Sequence, residues 1–265
     1  MLNRIRPTFS NKDRRLSLTI PKGWDELTQR QLRYVLTLIM LFPPEEVKAY
    51  MIIQLSGMKI LKRTADGWLF SIRERWWKRR RICLISAEEI ASLLHLCDFI
   101  DSYDNLNTRL VSVDGCRAVD KCLHGVSFGD YLNMENLYQG YLMTKKREKL
   151  TRMAKYLYRT YDNKAPEDIE CSEVEAFGVF VWYTYIKSVL ARFFPHFFTR
   201  INTSPSGEAE PVDMLAQMNI QIRALTDGDV TKEEMILNQD CWRALTELDA
   251  KAHEAAEFNK KDKNG

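Results

Sequence analysis

Hydrophobic positions recur every three or four residues over most of this 265-residue chain, and they alternate with polar ones in only a few short stretches. The first pattern is that of a helix with one buried face, the second that of a half-buried strand. The stretch "LSLTIP" (residues 16–21) alternates and stops at proline, so it predicts a short strand. Thr28 and Gln31 then form a capping box, and Leu32, Val35, Leu36 and Ile39 follow at helical spacing, so a helix should run to about Pro43. Pro44 suits the first turn of the next helix. Glu45 and Glu46 favour its positive end, and Gly57 is a natural C-terminal cap.

In "DGWLFSIRERWWKRRRICLI" (residues 66–85), Asp66-Gly67 signals a turn and both flanks are strand-like. A hairpin or two short strands is expected, with the basic run at or near the connection. Ser86 with Glu89 opens an amphipathic helix over 87–100, and a looser region with one strand-like piece, "TRLVSV", reaches residue 125. From Ser127 onward the chain is strongly helical. One helix carries Phe128, Tyr131, Leu132, Leu137, Tyr138 and Tyr141, and the next carries Leu150, Met153, Ala154, Leu157 and Tyr158. A third, capped by Ser172 with Glu175 and running to about Phe194, is apolar nearly all round, which places it at the centre of the core.

The polar, proline-containing segment near 199–211 reads as a linker. Beyond it, Met214, Leu215, Met218, Ile222 and Leu225 stripe a helix ending at Asp227-Gly228. Thr231 with Glu234 then caps one long helix striped by Met235, Ile236, Trp242, Leu245 and Leu248. The expected fold is mainly α with a small β-hairpin or short-strand element in the N-terminal half. Its organisation is a core domain over 1–200, a linker over 201–211, a helical hairpin over 212–258 and a frayed tail over 259–265. The hairpin either folds back on the core or docks on a partner, in which case Met235, Trp242 and Leu245 are the candidate contacts.

Composition narrows the class. A chain that is 45% hydrophobic and 28% charged is globular and not largely disordered. The uncharged apolar run over 176–186 is far short of the roughly 20 residues that span a bilayer, so no membrane association is expected. The start lacks the apolar stretch of a secretory signal, and the six cysteines are scattered, so reduced thiols in a cytoplasmic setting are expected. Residues 1–81 hold 18 Lys and Arg against 7 Asp and Glu, whereas the remainder holds 21 against 29. The two parts therefore favour partners of opposite sign.

Little in the chain looks like reaction chemistry. Cys116, Cys122 and His124 lie close in sequence, but C-x5-C-x-H is not a zinc spacing. There is no G-x-S-x-G, Walker loop or G-x-G-x-x-G, and paired carboxylates such as Glu88-Glu89 sit at helix starts. A non-enzymatic protein without metal or cofactor is expected. The basic-aromatic run over 73–82 has two readings. It offers cations for phosphates and tryptophans for base stacking, with Arg75, Lys78, Arg79, Arg80 and Arg81 as candidate nucleic-acid contacts. It also suits a strand end with buried tryptophans and solvated arginines, able to pair with an acidic protein.

Three stretches carry a family resemblance. Trp24, Glu26, Leu27, Thr28 and Gln31 give "W-x-E-L-T-x-x-Q", Phe128 to Tyr131 give "F-G-D-Y", and Leu157 to Arg159 give "L-Y-R"; the later "GDVTKEEMILNQDCWRALTEL" joins them. Together they resemble a protein family of phages and prophages of Bacteroidetes. The resemblance implies a morphogenesis role in the tail module, either chaperone-like or as a virion component. Phage tail or other virion proteins would be the partners, and the setting would be the host cytoplasm or the virion. The motifs are helix caps and core positions, so no functional residue carries over.

Overall fold

Three helix starts in this chain are set by capping boxes of side chains three residues apart, at Thr28, Ser86 and Ser172. The structure, a computed structural model, describes residues 4–5, 18–72, 80–202 and 214–264. The chain divides into two compact units, Met1–Thr108 and Arg109–Gly265. The division lies at Thr108, not at the expected linker, and residues 203–211 of that linker lie outside the described residues.

In the first unit, β1 (Arg4–Ile5) pairs antiparallel with β2 (Leu18–Thr19), part of the strand expected at 16–21. Thr28 caps α1 (Gln29–Leu41) in a complete capping box. Its buried Leu32, Val35 and Leu36 follow the predicted stripe, but Leu38 is the fourth buried residue and the predicted Ile39 is only half-buried. Pro44 opens α2 (Pro44–Leu55), as its fixed φ allows. A three-stranded antiparallel sheet follows in the order β3 (Lys59–Thr64), β4 (Gly67–Ile72), β5 (Arg81–Ile85). The expected hairpin is therefore present, and Ile72 pairs with Arg81 beside the basic run. Gly67 has φ +145°, and a Cβ there would run into the Ile85 carbonyl, so the turn requires glycine.

The helix expected over 87–100 is broken. The Ser86–Glu89 capping box opens α3, but this is only Ala87–Ala91, and a 3₁₀ helix covers Leu94–Asp101. One local bond and one distant cation account for this. Ser92 Oγ donates to the Glu89 carbonyl at 2.7 Å, competing with the backbone ladder. The Lys48 ammonium lies 2.6 Å from both Asp98 and Asp101, and carboxylates three residues apart eclipse on a 3₁₀ helix but not on an α-helix. Burial works against the charge on Lys48, but its bonds to Asp101 and Asp98 prevail and raise its pKa.

The second unit begins with β6 (Ser112–Val113) and β7 (Cys116–Ala118), then α4 (Phe128–Thr144), capped by Ser127. Helix α5 (Arg147–Leu157) ends where the Leu157 carbonyl accepts the Val119 N–H, and β8 (Tyr158–Arg159) completes a second sheet against β7. Helix α6 (Glu173–Phe193), opened by the Ser172–Glu175 box, buries ten residues, among them Trp182, Tyr183 and Ile186, and is the central helix of this unit. Helices α7 (Pro195–Asn202), α8 (Met214–Thr226), α9 (Glu233–Leu237) and α10 (Cys241–Asn264) follow.

The single helix expected from Thr231 is two. Asp229, not Thr231, caps the preceding 3₁₀ turn, and the chain breaks again before Cys241. Helix α10 packs on α7, α8 and α4, with Cys241, Ala244, Leu245, Leu248 and Ala252 buried along one stripe. The C-terminal helices thus belong to the body of the second unit. Leu245 is fully buried and Met235 is exposed. Leu245→Ala should therefore cost about 2–5 kcal/mol of stability in chemical denaturation, and Met235→Ala under about 0.5 kcal/mol. Equal effects would contradict this packing. Deleting residues 205–265 should leave a chain that aggregates or melts much lower.

Candidate functional site

The residues that carry the family resemblance are occupied with architecture. In the first unit, Trp24 is buried with its indole edge-on to Phe99, ring centres 5.6 Å apart, and its Nε1–H donates to the Ser102 carbonyl at 3.3 Å. Glu26 accepts the Lys22 N–H at 2.9 Å. In the second unit, the Asp130 carboxylate and the Arg159 guanidinium meet at 2.8 Å, joining the "F-G-D-Y" and "L-Y-R" stretches. Arg159 also donates to the carbonyls of Lys155, Tyr156 and Tyr158, satisfying the open end of α5. Tyr158 donates its hydroxyl to the Leu110 carbonyl at 3.0 Å. Gly129 lies against α9, where a Cβ would come within 3.3 Å of the Leu237 carbonyl.

A second knot ties the loop before α4 to the start of α10. The Asp240 carboxylate accepts the N–H of Gly125 at 2.6 Å and of Trp242 at 2.9 Å. Phe128 N–H donates to the Gln239 carbonyl, and Cys241 N–H to the Val126 carbonyl. Trp242 Nε1–H reaches the Cys122 carbonyl at 2.6 Å, and its ring stacks on His124 and meets Phe193 and Phe194 edge-on. This candidate contact is a half-buried packing residue, held on three sides, and Leu245 lies beneath the surface altogether. Of the three proposed protein contacts, only Met235 stands out, at 63% exposure, with Val230 and Leu215 also exposed nearby in sequence.

The polar groups of this unit are placed for holding it together. Among the described residues, no three His, Cys, Asp or Glu side chains gather as a metal site, and His124 is engaged with Trp242. His196 and His253 stack edge-on with ring centres 4.3 Å apart, as a pair. Burial pushes the thiol of Cys241, like that of Cys97 in the first unit, up to about 12, so both are protonated at neutral pH. Glu135 accepts from Gln139, Tyr183 and Lys187, bracing α4 against α6. Burial works against the charge on Asp120. The N–H groups of Cys122 and His124 and the neighbouring His124 and Arg109 nonetheless hold its carboxyl below the usual range.

The first unit carries a different kind of surface. Residues directly opposite in an antiparallel sheet share a face. Phe70, Ile72 and Ile85 are buried on one face of β4 and β5. The other face pairs Lys59 with Ser71 and Ile82, and Lys62 with Leu69 and Leu84. Ile82 is 64% exposed and Leu84 39% exposed, while Lys59 and Lys62 are exposed beside them on β3. Arg80, also exposed, reaches the Ser71 hydroxyl with Nη1 at 3.4 Å. Of the candidate nucleic-acid contacts, Arg80 and Arg81 sit at the start of β5, and Arg75, Lys78 and Arg79 lie outside the described residues, as do Trp76 and Trp77. The sequence reading missed Leu69, Ile82 and Leu84. The signal was present in "ICLI", but an unbroken apolar run does not show which members face outward.

No protein-family model, curated protein or solved structure matches the chain. Among the described residues, no helix is long and apolar enough to cross a membrane.

The depressed carboxyl of Asp120 gives a pH test. Its interactions stabilise the folded chain above the ordinary aspartate pKa of about 4, and that stability is lost as pH falls through the lower folded value. Melting temperature followed from pH 7 to pH 3 should therefore fall less steeply in Asp120→Asn than in the unaltered chain. Identical acid limbs would mean that the loop does not depend on this charge.

Proposed function

We propose that this protein is a non-enzymatic phage or prophage morphogenesis protein, working in the tail module by binding another virion protein. The observation that carries this reading is the outward face of β3–β5, where Ile82 and Leu84 are held on an ordered strand without contributing to the core. Exposed aliphatic side chains beside cations are what a protein-binding surface offers. The resemblance carried by Trp24, Asp130 and Arg159 supports the phage setting. The role is either that of an assembly chaperone or of a virion part, in the host cytoplasm or on the particle.

A second reading is favoured by one observation: Ile72 pairs with Arg81, so the basic-aromatic run connects two paired strands, with the exposed Arg80 at its end. A hairpin connection of that composition suits a nucleic-acid backbone.

Two measurements separate the readings. Disabling the gene in the phage that encodes it should yield particles without normal tails by electron microscopy, and the tagged chain should co-purify with a tail-module protein of that phage. Normal tails and full infectivity would overturn the lead. A salt-sensitive affinity for DNA or RNA that disappears when Arg79, Arg80 and Arg81 are each changed to Glu would promote the second reading.

A further inference from the structure

We propose that the outward face of β3–β5 is the docking site for an acidic amphipathic helix of a partner protein. This rests on the protein-binding reading above and names the partner's chemistry.

The face is built in two rows by the strand register. Lys59, Ser71 and Ile82 form one, and Lys62, Leu69 and Leu84 the other. Cations therefore line the β3 side and aliphatics the β5 side. Arg80 lies across the middle, where it reaches over the buried Ser71. A ligand that fits must bring an apolar stripe to Leu69, Ile82 and Leu84 and carboxylates to Lys59, Lys62 and Arg80. An amphipathic helix with Glu or Asp along one flank of its apolar stripe does both, because residues three and four apart share a face. Charge favours the same ligand. Residues 1–81 carry an excess of eleven positive charges, and among their cations Arg73, Arg75, Lys78 and Arg79 lie in the sequence joining β4 to β5.

The side chains themselves separate this from a nucleic-acid surface. Bases stack on aromatic rings, whereas the outward residues here are aliphatic. Leu69, Ile82 and Leu84 gain only when other apolar surface covers them. The cations of β3 alone would accept phosphates, but they would leave the aliphatic row wet.

The test uses the full chain and a defined probe. An 18-residue peptide of Leu, Glu and Ala, with Leu at i, i+3, i+4 and i+7 and Glu along one flank, is titrated by fluorescence anisotropy. A scrambled peptide of the same composition and a single-stranded oligonucleotide are titrated alongside. The amphipathic peptide should bind best. Its affinity should fall about tenfold or more in Ile82→Ser with Leu84→Ser, and by a similar factor in Lys59→Glu with Lys62→Glu. Both pairs are on the surface, so far-UV circular dichroism and melting should be unchanged; if the serine pair does not fold, Ile82→Ala alone is tested, with a smaller loss in the same direction. Equal binding of the scrambled peptide, or binding indifferent to both pairs, overturns the proposal. So does tighter binding of the oligonucleotide at the same residues. Concentration-dependent dimers in sedimentation that vanish in the serine pair would also overturn it, by assigning the face to a second copy of the chain. Introducing the serine pair into the phage keeps the two readings apart. If tails form normally with the pair but not without the gene, the morphogenesis role stands and this face is not its docking site.

Discussion

A single carboxylate, that of Asp240, decides how the second unit is put together. It accepts one backbone N–H at the start of its own helix, from Trp242, and one from Gly125, 115 residues earlier. The first bond caps α10, and the second takes up a donor at the loop before α4. The neighbouring bonds, Phe128 to Gln239 and Cys241 to Val126, extend the same junction. Each uses a backbone group that an uninterrupted helix through residues 231–264 would have kept for itself. The break between α9 and α10 therefore follows from the loop's need for acceptors, and α9 is left where Gly129 can approach it. Removing the carboxylate would leave the exposed Gly125 donor to water but the part-buried Trp242 donor unpaired, which is costlier than never having made that bond.

The Asp130–Arg159 pair works in the same way in the first turn of α4. An isolated ion pair at a surface is worth little. Here the guanidinium also closes three carbonyls at the end of α5, so its position is fixed before the carboxylate is met and less conformational entropy is lost in pairing. It follows that the "F-G-D-Y" and "L-Y-R" stretches record how two helices and a strand are joined. Such positions say how the chain is built and not what it binds, because their side chains face inward or toward the backbone. Binding must be sought where side chains are left over once the architecture is satisfied.

What was legible in the sequence follows the range of the interactions. Thr28 with Gln31, Ser86 with Glu89, and Ser172 with Glu175 are bonds between residues three apart, and each gave a helix start that the structure repeats. The helix over 87–100 was misread because its ending depends on Lys48, fifty residues away, drawing Asp98 and Asp101 to one side. The C-terminal helix was misread for the same reason, its break being set by Gly125. Trp242 looked like an exposed anchor because nothing local shows that His124, Phe193 and Phe194 surround it. "ICLI" gave the strand but not its faces, since four apolar residues in a row carry no period of two and the register came only with β4.

The two edges of the β3–β5 sheet then tell against each other. β3 is exposed over Lys59–Arg63 and carries three cations and a bulge between Ile60 and Lys62, all of which discourage another strand from pairing with it. Both edges carry open aliphatics, Ile60 and Leu61 on β3 and Ile82 and Leu84 on β5, but β5 has neither the bulge nor the lysines of β3. A strand edge of that kind is a hazard for a chain alone and an advantage for one that is to be covered. The sequence just before β5, from Arg73 to Arg80, is rich in cations. On the docking proposal above, like charges on two copies disfavour self-pairing at this edge, whereas an acidic partner is attracted to it.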